Sequence, residues 1–460
     1  MDKIFKRTLV GIALSVACGS AFAENVVGPE YTEGVSEFFS ESTISGNVNF
    51  FMRDRKRGGV DANGNDTKKK KNLDHGSIFV NLGFNSGYVG DVVGADFVVY
   101  STWDMWQNSS PDHEFNFWGV DNPYDKNPDA DGCGGAWDTS CNDNGVSIAK
   151  AAAKFKFGES VNAQLGYFQP SVPSSLGVNW SFAPGTYRGG EIGGKFGGVS
   201  LGAVYADQYK APWFKTTYEF QSTKGEDAGS VYSLGARYSF DNGISLDGGY
   251  GALTTGPRKN FHFKVKGTTE GGLFWSPQIY VVDDNEQYDS TAWQTALLTS
   301  FKAGQYSLRA EGIYTSADHK GDSDVGHFSY RLTKQYGGSN GAYDVWWNNR
   351  SDFNHDGEFA GFASISRDFS DVGAAGFSAG ISGAVGMGAK FEGVEELKEY
   401  AYSVFMGYGI QGGPLKGGAV SFHYTEYFND SKSGNWAPYS NAFQDETDFK
   451  LALTLPFSVK

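Results

Sequence analysis

The chain has 460 residues and a formal charge of −15, with 63 Gly, 36 Phe and 25 Tyr against only 5 Met. So acidic a chain is a poor partner for nucleic acid, and no stretch reaches the ~18 consecutive apolar residues of a transmembrane helix. Glycine and aromatic residues spread over many short alternating segments point instead to an all-β architecture.

Residues 1–23 have the layout of a secretory signal peptide. Lys3, Lys6 and Arg7 give a positive start, Leu9 to Ala17 an apolar core, and Ala21-Phe22-Ala23 small residues for cleavage. The core is too short to span a bilayer, so the segment is a removed address. Cys18 offers a lipoprotein alternative, but Ser15 stands where that signal wants an aliphatic side chain. Against Lys3, Lys6 and Arg7 the segment carries one acid, Asp2, so its removal takes the charge from −15 to −17. Residues 24–42 then form a periplasmic N-terminal segment, acidic from Glu24 to Glu37, and 43–460 an outer-membrane β-barrel.

Membrane barrels alternate apolar-out and polar-in residues over strands of about ten residues, with short turns on one side and long loops on the other. Thr43 to Arg53 sets Ile44, Gly46, Val48, Phe50 and Met52 on one face and Ser45, Asn47, Asn49 and Arg53 on the other. After a polar loop containing Lys68 to Lys71, a second strand turns Ile78, Val80, Leu82 and Phe84 outward. A third turns out Val93, Ala95, Phe97 and Val99. A fourth, Ser147 to Phe157, turns Lys150, Lys154 and Lys156 inward and Ala149, Ala151, Ala153 and Phe155 outward. Short turns recur near 158–160, 197–198, 241–243, 269–272, 303–304, 370–375 and 411–418, several with Asn-Gly or Gly-Gly hairpin chemistry. Long loops fall at about 103–146, 169–186, 208–229, 254–260, 283–290, 317–358, 388–398 and 429–447. The alternation predicts an 18-stranded antiparallel transmembrane β-barrel with long extracellular loops and short periplasmic turns. Pro277 weakens the eleventh strand, Leu273 to Val282, because it removes a ladder donor. The last strand places Phe449, Leu451, Leu453, Leu455 and Phe457 on one face. A β-sandwich or propeller lectin would also alternate, but would need neither even parity nor the long/short asymmetry.

Polar positions should face the lumen. Arg237, His262, Lys264, Lys266, Arg309, Glu191, Asp247 and Glu311 join the three lysines on inward registers. Charges of both signs on a pore wall order water and favour polar solutes, although each can also serve only to brace the lumen. Nine of the 11 Trp fall in predicted loops, including Trp103, Trp106, Trp180, Trp213, Trp346 and Trp347. Such residues can line a mouth and constriction, where an indole stacks on the apolar C–H face of a sugar; packing between loops is the bland alternative. The stretch 169–186, rich in Pro, Gly and aromatics, is stiff enough to fold inward and narrow the pore.

Three further features stand apart. Cys133 and Cys141 fit one loop disulfide in an oxidising compartment; a metal pair would need two more ligands. Asp352-x-Asn354-x-Asp356-Gly357 starts like a calcium loop, but the twelfth position is Ala363 rather than Glu, so it reads as a polar turn. No nucleophile elbow, phosphate loop or histidine metal motif stands out, so neither catalytic residues, cofactor nor metal are expected.

The runs Lys150 to Gly158, Trp180 to Tyr187, Tyr209 to Trp213, Leu308 to Gly312 and Asp344 to Asn354 together resemble the OprD-type porin family, over about Phe38 to Phe457. The likeness is nearest to members in enteric bacteria that conduct chitin sugars. It implies an 18-stranded, monomeric, substrate-specific channel passing chitooligosaccharides by passive diffusion, surrounded by outer-membrane lipid and lipopolysaccharide of a Gram-negative cell. Arg188 departs from that pattern, standing where those members have a neutral amide, and the loop around Cys133 and Cys141 has the look of an insertion. On this reading Trp180, Phe182, Tyr187, Trp213, Trp346 and Trp347 supply stacking surfaces. Arg188, Arg309, Glu311, Arg350 and Asp352 supply hydrogen bonds to hydroxyl and N-acetyl groups. The competing cargo is cationic amino acids or peptides. An outer-membrane enzyme would need a clustered catalytic set, and an adhesin a plugged lumen.

Overall fold

The computed structural model describes residues 35–59, 67–110, 113–118, 142–178, 182, 185–321, 326–333, 337–391, 394–429 and 445–459. The signal segment, Cys133, Cys141 and Trp180 lie outside the described residues. A six-residue helix, α1 (Val35–Ser40), precedes the barrel. It sits at the short-turn end, where Gly87 N donates to Phe38 O at 3.1 Å.

Eighteen long antiparallel strands follow. They are β1 (Thr43–Arg57), β2 (Lys70–Asn85), β3 (Val93–Gln107), β4 (Gly145–Phe157), β5 (Val161–Phe168), β6 (Thr186–Phe196), β7 (Val199–Lys210), β8 (Val231–Ser239) and β9 (Ser245–Leu253). Then come β10 (Lys259–Thr268), β11 (Phe274–Asp283), β12 (Ala292–Ala303), β13 (Tyr306–Ser316), β14 (Phe359–Asp368), β15 (Phe377–Phe391), β16 (Val394–Gly409), β17 (Ala419–Asn429) and β18 (Glu446–Ser458). Each pairs with the next, and β1 pairs with β18 from Ser45 opposite Ser458 to Arg57 opposite Glu446, so the sheet closes and has no free edge. The chain crosses with strands; among the described residues no helix is long and apolar enough to do so.

The expected alternation holds along most of the wall. Leu82, Phe97, Leu165, Leu201, Leu297 and Ile381 are exposed on the outside, while Asn49, Arg53, Asp96, Lys154, Lys156 and Lys264 are buried inside. Exposed Tyr and Phe cluster at both ends of the strands, with Tyr205, Tyr314 and Tyr400 toward the long loops and Phe157, Phe196 and Tyr408 toward the short turns. That is the girdle pattern of an outer-membrane barrel. Pro277 is accommodated inside β11. The ladder to β10 opens opposite Ser276 and Pro277, then resumes in the same register at Gly267 opposite Trp275.

Two details differ from the expectation. Ala149 was expected to face outward, yet it is 1% exposed and packs inside with Phe51 and Tyr100. A β-bulge is the cause: Val98 pairs with Lys150 and Val99 with Ile148, so Ala149 is the extra residue and the alternation above it is reversed. Trp103 and Trp106 lie on β3 rather than in a loop, and Trp103 points outward at 53% exposure.

Two inward-folded segments lie against the inner wall from β6 to β18. In the first, residues 171–176 lie directly on the wall over a run of glycines in β6 to β9. A Cβ at Gly202 would come within 2.4 Å of Pro173 O, one at Gly235 within 2.3 Å of Pro173 C, and one at Gly249 within 2.8 Å of Ser174 C. Only bare backbone admits so close an approach. In the second, residues 341–350 cross the inner faces of β10 to β18. The two segments meet where Leu176 bridges Gly341, so together they line the wall from β6 round to β18.

Candidate functional site

The second segment, the strap 341–350, is fixed by side chains rising from each strand beneath it. Asp344 is held between Lys264 at 2.9 Å and Lys266 at 2.8 Å, both on β10. Gln278 of β11 donates to it at 3.2 Å, and its own N–H donates to Tyr280 Oη at 3.0 Å. Burial opposes the carboxylate's charge, but Lys264 and Lys266 prevail and hold its pKa down to about 2. On β13, Arg309 pairs with Glu311 at 2.7 Å and donates to Trp346 O at 3.2 Å. Glu311 accepts from Trp347 Nε1 at 2.8 Å. Trp347 stacks on Phe362 of β14 at 5.5 Å between ring centres. Asn349 accepts from Ser382 of β15 at 3.2 Å and Ser403 of β16 at 2.9 Å. Arg350 reaches Glu446 of β18 at 2.5 Å. Its φ of +80° marks a forced bend where the strap leaves the wall.

Beneath the strap, toward the short-turn end, an open cavity of about 530 Å³ is lined by Thr268, Phe274, Ser300, Arg309, Asp344 and Trp346. Two aromatic side chains, a guanidinium and a carboxylate thus border one cavity. Across the lumen, at the seam of β1 and β18, basic side chains gather around buried acids. Arg53 pairs with Asp448 and Glu114, both at 2.8 Å, while Arg57 meets Glu446 at 2.8 Å and Arg55 meets it at 3.6 Å. Glu114 comes from the loop after β3. Burial works against its charge, but the Arg53 guanidinium holds its pKa down to about 2.

Five of the sequence-selected residues therefore lie on or under the strap, Arg309, Glu311, Trp346, Trp347 and Arg350, while Asp352 is exposed two residues beyond its end. Trp346 is half-buried and borders the cavity, whereas Trp347 is 5% exposed and serves the strap's packing. Phe182 joins an aromatic cluster across the lumen, 5.3 Å from Phe115 and 5.6 Å from Phe51. Tyr187 and Trp213 do not face the passage. Tyr187 is fully buried and donates to Asn340 O at 2.9 Å; Trp213 is 3% exposed and stacks on Trp118 at 5.3 Å. Arg188 lies on the exterior alternation with Ile192, paired with Asp207 at 2.6 Å. Tyr187 and Arg188 are neighbours on one strand, so only one of them can point inward, and the loop packing takes the tyrosine.

Sequence reasoning missed Arg258. It is 1% exposed and spends its donors on Asp284 at 2.9 Å, Gln287 at 2.5 Å, Arg331 O at 2.6 Å and Ser329 O at 2.7 Å. It fastens the loop that feeds the strap, and a lone Arg in a short loop carries no spacing that would announce this.

The sequence matches the model of the family described as outer membrane porin, OprD family, over residues 36–458. It is 34% identical to the Chitoporin of Escherichia coli (strain K12), covering 97% of this chain and 98% of that one. Solved Pseudomonas aeruginosa channels share the fold. OpdQ superposes with a TM-score of 0.68 at 14% identity, covering 91% of this chain and all of the other. OccK3 (OpdO) gives 0.67 at 16%, with 93% and 98% covered. OpdK, solved with vanillate, gives 0.65 at 17%, with 92% and 100% covered.

Proposed function

This chain belongs to the OprD family of outer membrane porins, and from that premise we propose that its pore passes chitooligosaccharides by passive, substrate-specific diffusion. The observation that carries the proposal is the cavity under the strap, where Trp346 and Phe274 border the same space as Arg309 and Asp344. A pyranose ring has apolar C–H faces and a polar rim. A passage with indole and phenyl walls and ionic corners matches both, and charged groups already paired to one another offer hydrogen bonds without a strong net field. The 34% identity to a protein named Chitoporin supports the same cargo. Conduction needs several weak sites, since one tight site would trap the solute. Trp346 and Phe182, on opposite sides of the lumen, supply surfaces for at least two. Residues 24–42, ahead of the first strand, form the periplasmic approach once residues 1–23 are cleaved. The barrel works as a monomer in lipid and lipopolysaccharide, and as a channel it needs no catalytic group.

The cationic cargo fits less well. Arg55, Arg57 and Arg350 line one side of the lumen, partly exposed, and would repel a cationic amino acid or peptide. Single-channel current in a planar bilayer tests the reading, with chitohexaose and maltohexaose added in turn. Block by chitohexaose alone is expected, with Trp346→Ala shortening each blocking event several-fold. Steady current with both sugars would overturn the cargo and leave the porin.

A further inference from the structure

From the geometry of His355, Glu358 and Glu399 we infer a binding site for one divalent transition-metal ion, placed where the limb following the strap meets β16. The three side chains are 0%, 1% and 0% exposed. His355 Nδ1 lies 2.9 Å from Glu358 Oε2 and 3.1 Å from Glu399 Oε1, and one donor atom from each residue falls within 4.8 Å of the others. Donors on a tetrahedral metal with bonds of about 2.1 Å stand about 3.4 Å apart, so His355 Nδ1 needs to move only a few tenths of an ångström from the two carboxylates to reach ligand spacing.

A ring nitrogen carries one hydrogen. Given to Glu358, it leaves Glu399 Oε1 buried with no hydrogen-bond donor. Sealed carboxylates without full compensation are destabilising. With both carboxylates ionised the cluster is short of positive charge even when the ring is protonated, and a dication would supply it. The remaining contacts are those of an oriented ligand set. Tyr427 Oη donates to Glu399 Oε2 at 2.7 Å, and the His355 backbone N–H donates to Glu358 Oε2 at 2.9 Å. Gly386 keeps the space open, since a Cβ there would lie 1.8 Å from Glu358 Oε1. One imidazole and two carboxylates, with a position left for water, suit zinc or manganese.

The ion would tie residues 355–358 to β16. Phe353, two residues before His355, packs against Trp347 of the strap at 5.6 Å between ring centres. The metal therefore pins the constriction from behind, whatever the cargo.

The test uses the full-length barrel purified in detergent and stripped with EDTA. Zinc titrated calorimetrically should bind at one equivalent per chain and raise the melting temperature. Cobalt should give a visible spectrum at the same stoichiometry. Glu399→Gln and His355→Gln, checked for folding by heat-modifiable gel mobility, should each bind at least ~10-fold more weakly. X-ray absorption on the wild-type zinc complex should show one imidazole among oxygen ligands, which keeps the assignment testable if a variant does not fold. No stoichiometric binding by the wild type, unchanged affinity in both variants, or two or more imidazoles around the zinc would each overturn the site.

Discussion

The two segments that narrow this lumen are held to the same wall by opposite means. Residues 171–176 sit where the wall has no side chains, within van der Waals reach of Gly202, Gly235 and Gly249. Residues 341–350 sit where the wall is crowded with them, and every strand from β13 to β16, with β10 and β18, sends up a donor, an acceptor or a ring. The first seat is steric and uncharged, so it is rigid and indifferent to pH and salt. The second is electrostatic, so it depends on which groups are ionised.

The largest effect should come from adding a side chain to the bare wall. Gly235→Val would place Cβ 2.3 Å from the Pro173 backbone carbon. Overpacking of this kind costs about 1–3 kcal/mol, and here it is relieved by lifting the segment. Conductance in potassium chloride should rise and the melting temperature should fall. Gly361→Ala is the control, because its Cβ would meet nothing nearer than Glu311 O at 3.9 Å. Equal behaviour of the two variants would show that the glycines do not seat the segment.

The strands were legible because period-two alternation writes itself into every ten residues, and a closed barrel with every neighbouring pair antiparallel allows only even counts. The glycine track was not. Gly202, Gly235 and Gly249 read as weak strand positions, and what they make room for lies 29 residues or more away in the chain. The strap was half-legible. Its tryptophans, Arg309 and Glu311 drew attention by composition and inward register, yet nothing local says that Trp347 faces the wall and Trp346 the passage. Ala149 and Arg188 differ from expectation for related reasons: a bulge, or a neighbour claimed by packing, decides which alternate points inward, and what claims the neighbour is not visible in one strand's own sequence.

A smaller effect separates the two seats by pH. Asp344 and Glu114 have pKa values lowered to about 2, from 3.8 and 4.5. A depressed carboxylate contributes stability that is complete above its unfolded value and disappears as pH falls through the folded one. Both anchors should thus be whole above pH 4.5 and fail between about 4 and 2. For Asp344, about 1.4 kcal/mol per unit, discounted for its partial exposure, gives about 1–2 kcal/mol. Current noise and sugar block should change over that interval in the wild type. In Asp344→Asn, which lacks the anion throughout, part of that change should be present already at pH 7. A channel that stays unchanged as pH falls through about 2 would show that the lysines beneath Asp344 do not hold the strap.

The smallest effect should belong to Arg188, and its smallness is informative. Its side chain lies on the outer alternation of β6 and is 42% exposed, as is that of its partner Asp207. An exposed pair of this kind contributes about 0–1 kcal/mol. Arg188→Ala should leave conductance, ion preference and sugar residence time unaltered, with stability lower by no more than that. If it instead lengthened or shortened the blocking events as Trp346→Ala does, the side chain would have to reach the lumen. The alternation through Tyr187 would then be reversed, and with it the assignment of that tyrosine to the loop packing.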